Sequence, residues 1–226
     1  MGLDLYAKIE PYIGFYDHYE RLYGHYLKII REYNPKSILD VGCGNGRMLQ
    51  KLGENGFSAR GIDLSKKMVE IAKKRGVDAR EQNISEIDER FDMIIAVADV
   101  LNYMDKKELG RFLGYIKKAL KNGGIFLCDV NTEHGFCDVA DGTMIKEDSE
   151  IFLAIDAVYD DGVLDTNITL FEKEGDLYKK HTGTILQHYH TKKELIDLTP
   201  LEYIGEKEVS LFSNDVDKMI YIFKNV

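Results

Sequence analysis

Apolar residues recur along this chain with two different periods, and the change from one to the other divides it into elements. From Tyr12 to Tyr33 the positions Tyr12, Phe15, Tyr16, Tyr19, Tyr23, Tyr26, Ile29, Ile30 and Tyr33 are spaced by three and four. That spacing is one face of a helix over 12–33. Asn34-Pro35 ends it, because proline disfavours helical geometry in the residue before it. Residues 37–41 then read as a short buried strand, followed by a glycine-rich loop, helical sequence over 46–52 and a second strand at 59–64. Ser65 is an N-cap residue, Met68, Ile71 and Ala72 share a helix face, and Gly76 sits where a helix-ending glycine belongs. A third strand is expected at 77–81. The run Phe91-Asp92-Met93-Ile94-Ile95-Ala96-Val97 is nearly continuous in apolar residues, as in a strand covered on both faces. Asp105 with Glu108 makes a capping-box pattern for a helix ending near Lys121, and Gly123-Gly124 releases the chain into a fifth strand at 125–130. Alternation of this kind predicts an α/β fold with a parallel sheet and right-handed crossovers.

Past Asp141 the period becomes two. Segments 151–159, 163–174 and 176–190 are rich in β-formers and are separated by Asp160-Asp161-Gly162 and Gly175, which is turn chemistry. An antiparallel meander is the expected result. Thr191, with Glu194 three residues later, caps a short helix over 191–198, and 201–212 and 218–224 read as closing strands. The chain is thus expected to be one domain, 1–226: a helical cap at 1–36, a cofactor-binding core at 37–135, a β-meander insertion at 142–190, and a closing helix and strands at 191–226.

Composition narrows this picture. A chain of 226 residues, 44% hydrophobic, is long enough for one sizeable core. Its formal net charge of -9 argues against broad affinity for nucleic acid or anionic membrane, both of which need a basic surface. Cys43, Cys128 and Cys137 form no metal-ligand spacing, and their odd number argues against a disulfide framework. Met1-Gly2-Leu3-Asp4-Leu5-Tyr6 lacks a basic segment followed by an apolar run, and no stretch of membrane-spanning length is apolar throughout. A cytoplasmic protein without a metal and without a membrane partner is expected.

The chemistry concentrates in Ile38-Leu39-Asp40-Val41-Gly42-Cys43-Gly44-Asn45-Gly46. A Gly-x-Gly-x-Gly loop between strand and helix lets backbone approach a ligand and is expected to leave helix-start N–H groups free. The dinucleotide fingerprint is Gly-x-Gly-x-x-Gly, and here the third glycine comes one residue early. Asp40 would repel a pyrophosphate, whereas it can meet an ammonium or brace the loop. The pattern favours a cationic, phosphate-free ligand.

The run from Asp40 to Gly46 resembles motif I of class I S-adenosylmethionine-dependent methyltransferases. The resemblance covers roughly residues 37–130. It implies a Rossmann-like, seven-stranded, mostly parallel sheet with an N-terminal helix and an antiparallel β insertion after strand five. It also implies S-adenosylmethionine as cofactor and S-adenosylhomocysteine as product, held by the loop residues Asp40, Gly42, Cys43, Gly44 and Gly46. Asp63, in Gly61-Ile62-Asp63-Leu64-Ser65, matches the acidic residue that grips both ribose hydroxyls, a task suited to a carboxylate. Leu64 and Met68 match apolar residues on the adenine, and Met68 also suits core packing. Asn83 and Ile84 follow strand three; family members more often have aspartate at the position of Asn83, whose carbonyl can still accept from the adenine amino group. Ala98 matches the place where backbone meets the methionine moiety.

Asp99-Val100-Leu101-Asn102-Tyr103-Met104 follows strand four, at the carboxyl edge where open α/β sheets bind ligands. It lacks the Asn/Asp-Pro-Pro-Tyr/Phe motif of amino-methylating nucleic-acid enzymes and the Pro-Cys nucleophile of cytosine-C5 enzymes. The Asp-x-x-Asn-Tyr pattern, with Asp129-Val130-Asn131 and the late meander, resembles a group of stand-alone bacterial and archaeal methyltransferases, some acting on small amines including sugar amines. Candidates for the site wall are Tyr16, which also counts toward the cofactor set, with Asn102, Tyr103, Asn131 and His134; His188 and His190 of the meander stand further out. His188 and His190 share a strand face, but His181 has the opposite parity and nothing nearby completes a metal ligand set. Lys66, Lys67, Lys73, Lys74 and Arg75 form a basic, solvated helix face. No catalytic residue is assigned, since placement carries most of a methyl transfer and a base is needed only when the nucleophile arrives protonated. The expected activity is transfer to nitrogen or oxygen of a small-molecule acceptor by a monomer or homodimer. An RNA or protein acceptor, or a non-catalytic sensor or assembly module, are the alternatives.

Overall fold

The computed structural model describes residues 3–226; Met1 and Gly2, part of the expected cap and N-terminal stretch, lie outside them. In chain order the helices and strands are α1 Leu3–Ile13, α2 Tyr16–Tyr33, β1 Ile38–Val41, α3 Arg47–Glu54, β2 Ala59–Asp63, α4 Lys66–Lys74, β3 Ala79–Glu81, β4 Phe91–Ala96, α5 Lys106–Ala119 and β5 Leu120–Asn131. The remainder is β6 Gly142–Glu147, β7 Ile151–Asp160, β8 Val163–Glu174, β9 Leu177–His188, α6 Lys192–Leu198, β10 Glu202–Val209 and β11 Lys218–Lys224. No helix among the described residues is long and apolar enough to cross a membrane.

A seven-stranded sheet runs in the order β10-β11-β5-β4-β1-β2-β3, and a four-stranded sheet in the order β6-β7-β8-β9. Strands β1 to β5 pair in parallel, while β11 and β10 add antiparallel at one end. From β1 the chain winds outward to β2 and β3, then returns to β4 on the other side, which opens a crevice at the carboxyl ends of β1 and β4. The near-continuous apolar run of β4 serves two cores. Met93 and Ile95 pack with Leu22, Tyr26 and Ile30 of α2, and Ile94 and Ala96 pack with Leu109, Leu113 and Ile116 of α5.

The single helix expected over 12–33 is two helices. Gly14 adopts φ +79° and separates α1 from α2. Tyr12 and Ile13 pack with Ile9 on the four-stranded sheet, whereas Tyr19, Tyr23 and Tyr26 pack on the seven-stranded one, so one straight helix face could not serve both. Two further corrections concern the end of α5 and the number of strands in the meander. α5 stops at Ala119 and β5 starts at once, with Gly123 (φ +76°) and Gly124 taken up inside the strand as an irregularity in its pairing with β4. β6 is an additional strand ahead of the three expected in the meander. The Asp161-Gly162 turn between β7 and β8 has positive φ at both residues (+45° and +80°), the handedness that matches hairpin twist.

Candidate active site

The glycine loop holds its shape through packing, and only one of its three glycines faces open space. A Cβ on Gly42 (φ +72°) would lie 2.7 Å from Val100 Cγ2, and one on Gly46 (φ +80°) would lie 2.8 Å from both Ala72 and Val77 side chains. Gly44 (φ +51°) has nothing within 4 Å of that position. Several N–H groups of the loop, and that of Arg47 at the helix start, are in use. Gly42 and Cys43 donate to the Ile62 carbonyl at 2.8 and 3.1 Å, Gly44 donates to Asp63 Oδ2 at 2.8 Å, Gly46 to the Cys43 carbonyl at 3.0 Å, and Arg47 to Asn45 Oδ1 at 3.2 Å. These five amides offer a phosphate no cradle. Cys43 lines the cavity, but its thiol is packed with Leu49, Val69 and Ala79, in the space that Gly61 leaves by lacking a Cβ.

Two carboxylates follow from this loop. Asp63, at the end of β2, accepts from Gly44 and, through Oδ1, from the Ser65 N–H at 2.8 Å. It therefore acts as the loop brace and helix-start carboxylate, and each oxygen keeps a further lone pair for a ligand. Asp40, at 1% exposure, has no hydrogen-bond partner on either oxygen. Burial, with Asp63 nearby, pushes its pKa up to about 8. A buried polar group without a partner is costly, so an orphaned carboxylate in a cavity wall marks the place of an absent cation.

Both carboxylates line a cavity of about 1030 Å³ at the carboxyl edge of the sheet. Leu64, 59% exposed, lines it together with Met68, Asn83, Ile84 and Ala98. Asn83 accepts from the Ser85 N–H at 2.9 Å as an N-cap, leaving one lone pair of its side-chain oxygen. Ala98 and Asp99 are consecutive non-glycine residues in the left-handed region, φ +66° and +67°. Such strain costs on the order of 1–3 kcal/mol per residue and needs support from its surroundings. Asp129 gives it, accepting from the Ala98 N–H at 2.8 Å and the Asp99 N–H at 3.2 Å.

Asp129 belongs to a buried cluster that sequence reasoning missed. Its Oδ1 also accepts from Tyr26 Oη at 2.7 Å, and Lys218 Nζ reaches Asp129 at 3.4 Å, Asn131 Oδ1 at 2.8 Å and Asp99 Oδ1. Burial pushes Asp129 up and Lys218 down in pKa. Lys218 is 1% exposed inside a strand that reads as ordinary apolar sequence, and only the β5–β11 register places it opposite Asn131.

The remaining candidates divide. Tyr103 and Asn131 line the cavity, the latter with its carbonyl held by Lys218. Asn102, at 0% exposure, does not line it: its amide nitrogen donates to the His188 carbonyl at 2.8 Å, and its oxygen accepts from the Asn131 N–H at 3.1 Å. It ties the four-stranded sheet to β5. Tyr16 is also outside the cavity, lying 3.8 Å under the Arg47 guanidinium, and its place is taken by Tyr6, Tyr19 and Tyr23. His134 has both ring nitrogens engaged, with Asp138 at 2.9 Å and Ser213 at 3.0 Å. His190 is buried against the Met104 carbonyl at 3.0 Å, and neither it nor His188 lines the cavity. Phe15, Tyr19 and Tyr23 were legible as one helix face, but Tyr6, Glu10 and Phe212 enter the wall through the folding of α1 and the β10–β11 loop. Among the described residues no three His, Cys, Asp or Glu side chains cluster as for a metal ion.

A family model described as a methyltransferase domain matches residues 38–124, the span from β1 to the end of the irregular segment in β5. Residues 38–124 thus match a methyltransferase domain, and the fold is that of class I methyltransferases. A putative methyltransferase of a Geobacillus species is 30% identical over 146 residues, covering 60% of this chain and 59% of the relative. The chain spans about six-tenths of the length of the curated relatives it matches, 59% and 64% of the first two. A crystal structure of an S-adenosylmethionine-dependent methyltransferase from Clostridium acetobutylicum superposes with a TM-score of 0.76 at 22% identity, covering 91% of each chain. An amino pentose methyltransferase from Micromonospora echinaspora, solved with S-adenosylmethionine bound, gives 0.70 at 16% identity, again covering 91% of each. At these identities the likeness establishes the fold of the methyltransferase domain together with its meander.

Proposed function

We propose that this chain binds S-adenosylmethionine and transfers its methyl group to nitrogen or oxygen of a small-molecule acceptor. The observation that carries the reading is Asp40, a fully buried carboxylate with no partner, on the same cavity wall as Asp63. The residues present fit this cofactor. Asp40 is free to receive an ammonium, Asp63 keeps two lone pairs for a vicinal diol, and Leu64, Met68 and Ile84 offer an apolar bed for an adenine. Asn83 retains one lone pair for the adenine amino group, and Ala98, its N–H taken by Asp129, has its carbonyl alone to offer the methionine moiety.

When bound, S-adenosylmethionine supplies a methyl group on a sulfonium, an electrophile whose departing thioether needs no proton. The chain's part is to hold the acceptor in line and exclude water. A cavity of about 1030 Å³ is at the upper end of ordinary ligand sites and has room for donor and acceptor together. The amino pentose methyltransferase named above is a neighbour whose acceptor is a small molecule, and the net charge of -9 disfavours RNA. We read residues 1–226 as one working unit, with α1 and the four-stranded sheet covering the site. A cytoplasmic setting is supported by Cys43 and Cys128 being buried free thiols.

Incubation with methyl-labelled cofactor and separated small metabolites, RNA and protein tests the proposal. Label is expected in the small-metabolite fraction. Label entering only RNA or protein contradicts the acceptor class, and cofactor binding with no transfer to any fraction supports the sensor module instead.

A further inference from the structure

The charged lining of the cavity is strongly one-sided. Among the described residues it contains seven carboxylates and a single guanidinium, Arg111, with no lysine or histidine. Arg111 lies on α5, the helix that packs on the Ile84–Glu86 turn, and so belongs to the Asn83 end of the cavity. At the other end Asp99 follows Ala98. Its carboxylate is ion-paired to Lys218, yet Asp99 lines the cavity while Lys218 does not. The lysine thus holds Oδ1 from outside the cavity lining, and among the described residues Oδ2 carries no hydrogen bond of its own. The wall beside Ala98 is aromatic, with Phe15 and Phe212 meeting edge to face at 5.2 Å and Tyr19 beside them, and the four-stranded sheet adds Ile155 and Leu164 to the cavity lining.

We propose that the acceptor is an amine on a partly apolar molecule, received at Asp99, a proposal that rests on the cofactor reading above. A carboxylate or phosphate acceptor would enter a site with no free cation at this end and with several negative groups, which works against it at every approach. A hydroxyl acceptor would need a base in the wall. Taking up a proton would break the Asp99–Lys218 ion pair, Asp141 accepts the Tyr159 N–H at 2.8 Å, and among the described residues no histidine lines the cavity. An amine needs none in the wall: received as the ammonium, it gives its proton to water in a pre-equilibrium, and the neutral form then brings its own lone pair. As the C–N bond forms, the C–S bond breaks with its electron pair remaining on sulfur. Positive charge passes from sulfur to nitrogen, beside Asp99, and any proton the nitrogen then loses goes to water.

Three probes with closely matched skeletons test this: 2-phenylethylamine, 2-phenylethanol and 3-phenylpropionate, titrated calorimetrically into the full chain saturated with S-adenosylhomocysteine. The amine is expected to bind at least about tenfold tighter than the alcohol, as a charge-assisted hydrogen bond gives, and the carboxylate not to bind. Asp99→Asn is expected to remove most of the preference for the amine over the alcohol while S-adenosylhomocysteine affinity stays within about threefold. Equal binding of amine and alcohol, tighter binding of the carboxylate, or an amine preference untouched in D99N overturns the proposal with the cofactor reading intact. Failure of S-adenosylhomocysteine itself to bind overturns both.

Discussion

Asp40, one residue before the end of β1, and Asp63, the last residue of the adjoining parallel β2, line one cavity, yet among the described residues two backbone amides clasp Asp63 and no hydrogen bond reaches the carboxylate of Asp40. The unliganded site therefore stores unfavourable electrostatics that a cation relieves. Because the folded pKa of Asp40 is about 8, above the ordinary carboxylate value, the native state keeps a proton that the unfolded chain gives up. The contribution of Asp40 is complete below about pH 4 and is lost as pH rises toward 8, at up to about 1.4 kcal/mol per pH unit. Asp40→Asn is expected to raise the Tm of the unliganded protein at pH 8, with the gain shrinking to nothing near pH 4. Thermal melts across that range check it.

The same group links binding to protons. A cationic ligand requires the ionised form of Asp40, so below pH 8 binding must release the proton. S-adenosylhomocysteine affinity is expected to rise by up to about tenfold per unit between pH 6 and 8. Calorimetry in buffers of different ionisation enthalpy should count close to one proton released at pH 6.5, and none in D40N.

Asn102 joins β9 to β5 by two hydrogen bonds in a dry environment, and its truncation leaves the His188 carbonyl and the Asn131 N–H unpaired. Asn102→Ala is expected to cost about 2–4 kcal/mol of stability. Denaturant unfolding measures this, and hydrogen exchange should show loosening of the four-stranded sheet first. Weakened catalysis without lost stability would return Asn102 to the acceptor wall.

The loop glycines separate into two kinds. Gly44→Ala meets open space and is expected to cost only the left-handed backbone penalty, about 1–2 kcal/mol. Gly46→Ala drives a methyl into Ala72 and Val77 at 2.8 Å and is expected to cost at least about 2 kcal/mol more, read as a shift in denaturation midpoint.

Much of the sheet was legible because each strand's pattern reports its own burial. β4 is apolar on both faces and packs on both α2 and α5, and the capping boxes at Asp105–Glu108 and Thr191–Glu194 form as their spacing predicts. Asp40 stood out by its place just before the glycine loop and Asp63 by the resemblance at the end of strand two, and both line the cavity. What escaped depends on register or on contacts between distant segments. Lys218 meets Asp99 only after β11 pairs antiparallel with β5, and Tyr6 and Glu10 reach the cavity only because Gly14 turns α1 back over it. Tyr16 illustrates the converse: the helical period put it on the same face as Tyr19 and Tyr23, but near the helix start it lies under Arg47 instead.

The most direct measurement is a calorimetric titration of S-adenosylmethionine into the chain and into Asp63→Ala, with NADH as competitor. The predicted result is saturable one-site binding, weakened about a hundredfold or more in D63A as two hydrogen bonds to a charged carboxylate are lost, and unaffected by NADH. Absence of binding, equal affinity in D63A, or displacement by NADH would contradict the account.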